Sequence, residues 1–390
     1  MQSETFDLIE STFRQQGVAL AIDRLVAAIE QDKDHHRLFD ALCLRAKHGL
    51  GLPLTRPTSF DDVPEGMRDE FEKAYVAAAR RAGEAFLAEG NISQAYMYLR
   101  TIREPGKVAD AIEKLPTDGP IDEQVLEIAL FQGVAPAKGV AMMLAGHGTC
   151  STITALDQKL GELPESARRQ CVALMVRKLY RDLRENVEVE VRKRQPMLPQ
   201  GQSLRELIAG RDWLFSNDNY HIDVSHLNSV VRMARSLSPG DVELADAIQL
   251  AQYGSKLAPQ YQYGGSPPFD EFYPAHQHFL RVLAGERVDD GLGWFRDKLA
   301  SAADDASTKL AALTLIDLLQ RTGRGDEAVE LAVTHLSEGA DQFGFSLADF
   351  CLQAGRLDKY RELARAEGDL VAFTAALGSE TAPRLVSGGG

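Results

Sequence analysis

The residues with the clearest potential for chemistry lie at 218–226, where two imidazoles and a carboxylate follow one another closely. His221, Asp223 and His226 span a loop and the start of a helix, so their side chains could converge on one divalent cation, zinc or iron. A cation held in this way activates water for hydrolysis or a related reaction. The spacing matches no strict metal-binding motif. An alternative therefore stays open, in which Asp223 or Ser225 caps the helix that follows.

A second small cluster could supply a further metal ligand. His147 lies between Gly146 and Gly148 and comes three residues before Cys150. This histidine could join the predicted metal site, and Cys150 could ligate the same kind of cation or act as a nucleophile with a histidine as its base. The alternative is that the two glycines form a helix end followed by a tight turn, because glycine adopts backbone conformations that are costly for other residues.

Aromatic side chains surround a loop at 261–270, where a Gly-Gly pair and a Pro-Pro pair prevent a continuous helix. A helix is predicted to resume at Pro274. Aromatic residues beside such a loop either anchor it to the core or form the wall of a pocket for a small molecule. The residues that could line this pocket are Trp213, Tyr220, Tyr261, Tyr263 and His276.

Almost the whole chain shows the apolar periodicity of α-helices. The candidate residues are therefore expected to lie on helices or on the loops between them. Apolar residues recur mostly at three- and four-residue steps, as in Ile22, Leu25 and Ile29, which is the stripe of a helix that buries one side. Strand-like alternation is almost absent, and aromatic residues make up only 7% of the chain. We therefore predict an all-α fold, with one long helix over 167–191 and a linker at 197–201.

The segment 77–102 carries a pattern of small and aromatic residues that suits two antiparallel helices in close contact. Gly83 is the small residue of the first helix, and Phe86 is the aromatic residue that follows it. Gly90 supplies the turn, and Ala95 is a small residue of the second helix. This pattern resembles the tetratricopeptide repeat (TPR), in which small residues allow the two helices to approach.

Two further units of this kind are predicted near the C-terminus. Their turns lie at Gly323 and Gly355, a spacing close to the ~34-residue period of the repeat. The resemblance implies an all-α, TPR-like α-solenoid, a right-handed stack of antiparallel helical hairpins. It further implies a concave groove that binds a peptide or a partner protein.

The resemblance covers the two ends of the chain and leaves out the middle. We predict TPR-like hairpins over 1–135, an atypical central helical region with His- and aromatic-rich loops over 136–300, further TPR-like hairpins over 301–376, and a flexible tail over 377–390. Because the candidate ligands and the aromatic loop lie in the central region, any chemistry is expected there.

Two functions from different classes follow from these features. The first is a helical-repeat scaffold that binds a peptide or protein in its concave groove and carries a central pocket that could take a small molecule. The second is a metal-dependent enzyme, a hydrolase or a related activity, that uses His221, Asp223 and His226 with His147 as a further ligand. The scaffold is favoured, because helix capping and packing account for most of these residues and because repeat folds usually bind partners.

Composition argues against several other functions. The 390 residues contain 43 Lys and Arg against 57 Asp and Glu, a formal net charge of −14, so nucleic acid and anionic membranes are not expected partners. No apolar run reaches the ~18–20 residues of a membrane-spanning helix, and no secretory signal follows Met1. Four scattered cysteines without a CxxC pair fit a reducing compartment, so a cytoplasmic protein is expected.

Overall fold

The computed structural model describes residues 2–336 and 344–381, in which the regular structure is helical. No β-strand occurs in these two ranges, where Gly264 and Glu271 form an isolated antiparallel bridge. The all-α class predicted from periodicity is therefore confirmed. No helix in the same ranges is both long enough and apolar enough to cross a membrane.

The chain divides into two compact units, and the first is Met1–Leu163. Its α-helices are α1 (Gln2–Gln16), α2 (Val18–Asp32), α3 (His35–Gly49), α4 (Arg68–Ala88), α5 (Ile92–Thr101), α6 (Gly106–Glu113), α7 (Glu123–Leu126), α8 (Pro136–Gly146) and α9 (Gly148–Lys159). From α1 to α6, each helix packs against the next one along the chain. Its main core therefore forms between consecutive helices.

The predicted N-terminal hairpin is present as α4 and α5. Between them Gly90 has a φ of +77°, in the left-handed region that favours glycine, so the chain can reverse there. Asn91 caps α5 by accepting a hydrogen bond from the backbone N–H of Gln94 at 3.3 Å. A Cβ atom built on Gly83 would lie 2.7 Å from Cγ of Leu99, so the two helices approach more closely than a larger residue allows.

A buried cation ties the loop between α3 and α4 to the core. The side chain of Lys47 is fully buried, and its Nζ donates hydrogen bonds to the carbonyl oxygen of Arg56 at 2.7 Å and to the carboxylate of Asp62. Nζ also lies 5.3 Å from the ring centroid of Phe71. The hydrogen bond from Lys47 is the largest cause holding the pKa of Asp62 below its usual value.

The second unit is Pro164–Gly390. Its α-helices are α10 (Glu165–Arg194), α11 (Leu204–Ile208), α12 (Val224–Met233), α13 (Glu243–Gly254), α14 (Phe272–Leu283), α15 (Val288–Ala300), α16 (Asp305–Arg321), α17 (Gly325–His335), α18 (Leu347–Gln353), α19 (Leu357–Glu367) and α20 (Leu370–Thr381). Helix α20 thus continues into the first residues of the predicted tail, and 382–390 lie outside the described residues. The finer division into four segments stays a prediction.

The predicted long helix is confirmed as α10, which packs against α11, α12 and α13. One face of it is buried, through Cys171, Val172, Met175, Val176, Leu179, Leu183, Val187 and Val191. The predicted linker at 197–201 lies in the loop between α10 and α11, inside the second unit.

The predicted C-terminal hairpins are present as α16 with α17 and α18 with α19. Gly323 and Gly355 lie at their turns with φ values of +75° and +70°. Within the first hairpin, Leu315 and Leu319 of α16 and Ala328 of α17 are buried. Helices packed in adjacent pairs are compatible with a helical-repeat fold, and the TPR assignment itself stays a prediction.

All four cysteines lie in the described part of the chain. Cys43, Cys171 and Cys351 are buried, whereas Cys150 on α9 is exposed. Burial raises the pKa of the Cys43 and Cys171 thiols to about 12 and also raises the pKa of Cys351. The three buried thiols are therefore protonated at neutral pH.

Candidate functional site

The carboxylate predicted as a metal ligand caps α12. Oδ1 of Asp223 accepts hydrogen bonds from the backbone N–H of Ser225 at 2.8 Å and of His226 at 3.4 Å, and from Oγ of Ser225 at 2.6 Å. The Ser225 hydroxyl is the largest cause holding the pKa of Asp223 below its usual value. This is the capping arrangement that the sequence left open as the alternative to metal binding.

His221 is held by Tyr253, a fully buried residue of α13. The hydroxyl oxygen of Tyr253 lies 2.9 Å from Nδ1 of His221 and accepts a hydrogen bond from its backbone N–H at 2.9 Å. Nε2 of His221 is buried and has no hydrogen-bond partner among the described residues. Burial lowers the pKa of His221, so its ring is neutral at pH 7.

The predicted metal site has no geometric support in the described part of the chain. No group of three or more His, Cys, Asp or Glu side chains there is placed to hold a metal ion. His147 belongs to the first unit, where its Nε2 lies 3.1 Å from Oε1 of Glu123. Gly146 ends α8 and Gly148 begins α9 with a φ of +78°, which is the helix-end alternative. The metal site stays a prediction of the sequence.

Two of the predicted pocket-lining residues form an aromatic pair, and another pairs with a cation. Tyr220 meets Tyr261 edge to face, with ring centroids 5.1 Å apart. The guanidinium of Arg194, at the end of α10, lies 4.1 Å from the ring centroid of Trp213. Each contact fastens a loop or a short helical segment to its neighbour, as the anchoring alternative predicts.

A cluster of rings fastens the 261–270 loop to α14. Tyr263 meets Phe272 at 5.2 Å, and the ring of His276 lies 4.6 Å from Phe269 and 4.3 Å from Phe272. His276 is only 1% exposed, and its Nδ1 donates a hydrogen bond to the carbonyl oxygen of Phe272 at 2.7 Å. Burial lowers the pKa of His276 to about 3, so its ring is neutral and belongs to the core.

An apolar groove that sequence reasoning did not single out lies in the first unit, between α1 and α2. Its volume is about 430 Å³. Its apolar walls include Phe6, Ile9 and Phe13 of α1 and Val18, Ile22 and Leu25 of α2. Phe6 is 72% exposed and Phe13 is 55% exposed, so two large aromatic side chains of one helix face solvent.

The spacing of residues on α1 is the signal that could have revealed this groove. Phe6, Ile9 and Phe13 recur at three- and four-residue steps, which is the period of one helix face. Of the described side chains of α1, Thr12 alone is buried, and the core cluster of α2, α3 and α4 contains no residue of α1. The apolar stripe of α1 is therefore largely outside the core of the unit.

The surface around the groove is acidic. Helices α1 and α2 together carry six acidic and two basic side chains, a net charge of −4. Glu10 lines the groove itself and forms an ion pair with Arg14 on the exposed side of α1. The groove thus combines an apolar floor with negatively charged surroundings.

Comparison with known proteins adds no family to these observations. No family model matches the chain, and no curated protein matches it.

Proposed function

We propose that the chain is a helical-repeat scaffold, resembling TPR proteins, whose first unit binds a partner protein through the groove between α1 and α2. The proposed occupant is an amphipathic helix of the partner that carries Lys or Arg beside its apolar face. The observation that carries the proposal is the exposure of Phe6 and Phe13 on one face of α1, in acidic surroundings.

The apolar side chains of the groove supply the driving force for binding. Complete burial of a fully exposed phenylalanine contributes about 1.5–3 kcal/mol. Phe6 and Phe13 lie on the same groove and are 72% and 55% exposed, so each can contribute a part of that amount. An amphipathic helix docks into such a groove with apolar anchors at three- and four-residue steps. A groove of about 430 Å³ has room for several of these anchoring side chains.

The charge of α1 and α2 decides which amphipathic helix fits. With a net charge of −4 on these two helices, a partner with acidic flanks would be repelled and one with basic flanks attracted. Complementary charge mainly accelerates association and rejects wrong partners, while the apolar contacts hold the complex. The partner helix is therefore expected to be basic and amphipathic.

The metal-dependent enzyme has less support from the contacts of its candidate residues. Asp223 accepts three hydrogen bonds in capping α12, and Nδ1 of His221 lies against Tyr253. Both groups have structural roles that explain their residue types. The contacts of these residues therefore favour the scaffold over the enzyme.

The test measures binding of a synthetic peptide to the full chain by fluorescence anisotropy. The peptide is about five helical turns long, with Leu and Phe on one face and Lys beside them. We expect saturable binding, and we expect the combined Phe6→Ser and Phe13→Ser change to weaken it by about tenfold or more. Met97→Ser is the matched control, because Met97 is 59% exposed on α5 of the same unit and does not line the groove.

Three outcomes would contradict this proposal. The first is equally tight binding of a peptide of the same composition with its apolar residues scattered around the helix, which would mean that charge alone attracts it. The double variant could retain full affinity, which would place binding elsewhere. The chain could also form a dimer that Phe13→Ser abolishes, in which case the occupant is a second copy and not a partner protein.

A further inference from the structure

A polar cleft of about 530 Å³ runs along α10 in the second unit. One wall is a row of side chains at four-residue steps along the helix, namely Tyr180, Arg184, Glu188 and Arg192. The opposite wall is formed by residues 200–203, just before α11, and by Glu206 within α11. Side chains four residues apart lie on one helix face, so the row presents its polar groups to the same space.

Hydrogen bonds hold the two walls of the cleft together. The hydroxyl oxygen of Tyr180 accepts a hydrogen bond from the backbone N–H of Leu204 at 3.2 Å. Ser203 and Glu206 form a capping box that starts α11, with the backbone N–H and Oγ of Ser203 each 2.7 Å from Oε2 of Glu206. The polar groups of the cleft are therefore held in place before any ligand arrives.

Two arginines in this cleft keep unused hydrogen-bond donors. Nη1 of Arg184 donates to Glu188 at 2.8 Å, and Nε and Nη2 of Arg192 donate to the same carboxylate at 3.0 and 2.7 Å. In the described part of the chain, Nε and Nη2 of Arg184 and Nη1 of Arg192 have no hydrogen-bond partner. These donors suit a carboxylate group of a ligand.

The acidic side of the cleft keeps an unused acceptor. Oε2 of Glu206 takes both hydrogen bonds from Ser203, whereas Oε1 has no partner within the described residues. These hydrogen bonds hold the pKa of Glu206 below its usual value, and the hydrogen bond from Arg192 does the same for Glu188. Both carboxylates are therefore ionised at neutral pH, and the four charged side chains of the cleft sum to zero.

A buried amide oxygen points to the same kind of ligand. Oε1 of Gln202, on the loop wall, is buried without a hydrogen-bond partner in the described residues. A buried acceptor in this state is unfavourable, because it has lost its hydrogen bonds to water and gained none from the protein. Turning the amide so that its oxygen faces the cleft would remove this cost and would offer an acceptor to an N–H group of a ligand.

We propose that this cleft binds a zwitterionic peptide-like compound, such as a dipeptide. Its carboxylate lies against the free donors of Arg184 and Arg192, its ammonium lies against Glu206, and its amide N–H faces Gln202. Balanced charge favours a zwitterion over a phosphate, because a dianion would meet two carboxylates along with the two arginines. The site lies in the second unit and does not depend on the groove of the first.

The test uses isothermal titration calorimetry on the full chain with four probes: alanyl-alanine, its N-acetyl derivative, its C-terminal amide, and inorganic phosphate. We expect alanyl-alanine to bind at least about tenfold more tightly than each blocked form, since each block removes one charged contact. Arg192→Gln should abolish the preference for the free carboxylate. Glu206→Gln should abolish the preference for the free ammonium and keep the helix cap, because glutamine also completes a capping box.

Arg181→Gln is the matched control, because Arg181 lies on the same helix, is largely exposed and does not line the cleft. It should leave all affinities unchanged. The proposal is overturned if no probe binds saturably up to about 10 mM, if the blocked dipeptides bind as well as the free one, or if Arg181→Gln weakens binding as much as Arg192→Gln. Tighter binding of phosphate than of alanyl-alanine would also overturn it, in favour of an anion site.

Discussion

The hydroxyl group of Tyr253 lies 2.9 Å from both the backbone nitrogen and Nδ1 of His221, so one phenol supports two polar groups of a residue outside its own helix. On the other side of this residue, Nδ2 of Asn186 donates a hydrogen bond to the carbonyl oxygen of His221 at 2.9 Å. Helices α10 and α13 therefore hold the loop that precedes α12 through the backbone N–H and C=O groups of one residue, His221.

Removing that hydroxyl should destabilise the second unit. Tyr253→Phe leaves the backbone N–H of His221 without its partner, and we expect a loss of about 1–3 kcal/mol in the free energy of unfolding. Both tryptophans, Trp213 and Trp294, lie in this unit, so urea unfolding followed by tryptophan fluorescence reports on it. Tyr220→Phe is the control at a half-exposed tyrosine and should cost less than about 0.5 kcal/mol. Equal losses in the two variants would contradict the role given to the Tyr253 hydroxyl.

The stability of the same unit should fall in mild acid because of His276. Its pKa is about 3 in the folded chain and ~6.5 in an unfolded chain, so the unfolded state binds more protons between these values. Stability is therefore fully present above pH ~6.5 and declines as the pH falls toward 3. We expect this histidine to account for a loss of about 2 kcal/mol between pH 7.5 and pH 5.

The measurement is the pH dependence of unfolding monitored by tryptophan fluorescence, compared between the wild type and His276→Gln. The variant should show a flatter pH dependence whatever its stability at neutral pH. Met197→Gln, at a 98% exposed position of the same unit that carries no titratable group, should keep the wild-type dependence of the unfolding free energy on pH. If the free energy of unfolding of His276→Gln depends on pH as steeply as that of the wild type, other groups cause the acid sensitivity.

Adding one methyl group at Gly83 should loosen the hairpin of α4 and α5. The new Cβ would lie 2.7 Å from Cγ of Leu99, so we expect Gly83→Ala to cost about 1–3 kcal/mol despite the better helix propensity of alanine. Hydrogen exchange of the α4 and α5 amides measures the loss. In a Leu99→Ala background the same change should be neutral or stabilising, because the space is then free. Gly49→Ala, with no heavy atom within 4 Å of its new Cβ, should not speed exchange.

Replacing the buried Lys47 should increase local opening of the loop between α3 and α4. Lys47→Met keeps an apolar stem of similar length but leaves the Asp62 carboxylate and the carbonyl oxygen of Arg56 without their donor. We expect faster hydrogen exchange throughout 50–67, with little change in α1 and α2. Arg45→Met, at an exposed position of the same helix, should leave the loop protected. Similar exchange in both variants would mean that Lys47 does not hold the loop.

The helices and their turns could be predicted from the sequence because both depend on local features. The periodicity over 167–191 predicted a helix that is observed as Glu165–Arg194. Gly90 and Gly323 were predicted as turns and adopt the left-handed conformation that few other residues tolerate. Such features are decided by a few neighbouring residues, so one sequence is enough to find them.

The candidate sites could not be predicted in the same way, because they depend on which surfaces remain uncovered. The apolar stripe of α1 has the same spacing as the stripe of α2, yet Ile22 and Val26 are buried and Phe6 and Phe13 are not. Asp223 shows the same difficulty at a single residue, since an aspartate before a helix suits both a cap and a metal ligand. Only the positions of neighbouring elements show whether a helix stripe is covered and whether an aspartate caps a helix or binds a metal.

The four native cysteines allow local opening of the helices to be followed by chemical labelling of their thiols. In the native state a thiol-reactive label should attach first to Cys150, the exposed one of the four, which lies in the first unit. Cys43 in the first unit, and Cys171 and Cys351 in the second, can react only when the surrounding helices separate. The order in which these three thiols become labelled would therefore rank the opening rates of three separate parts of the core, with no substitution at all.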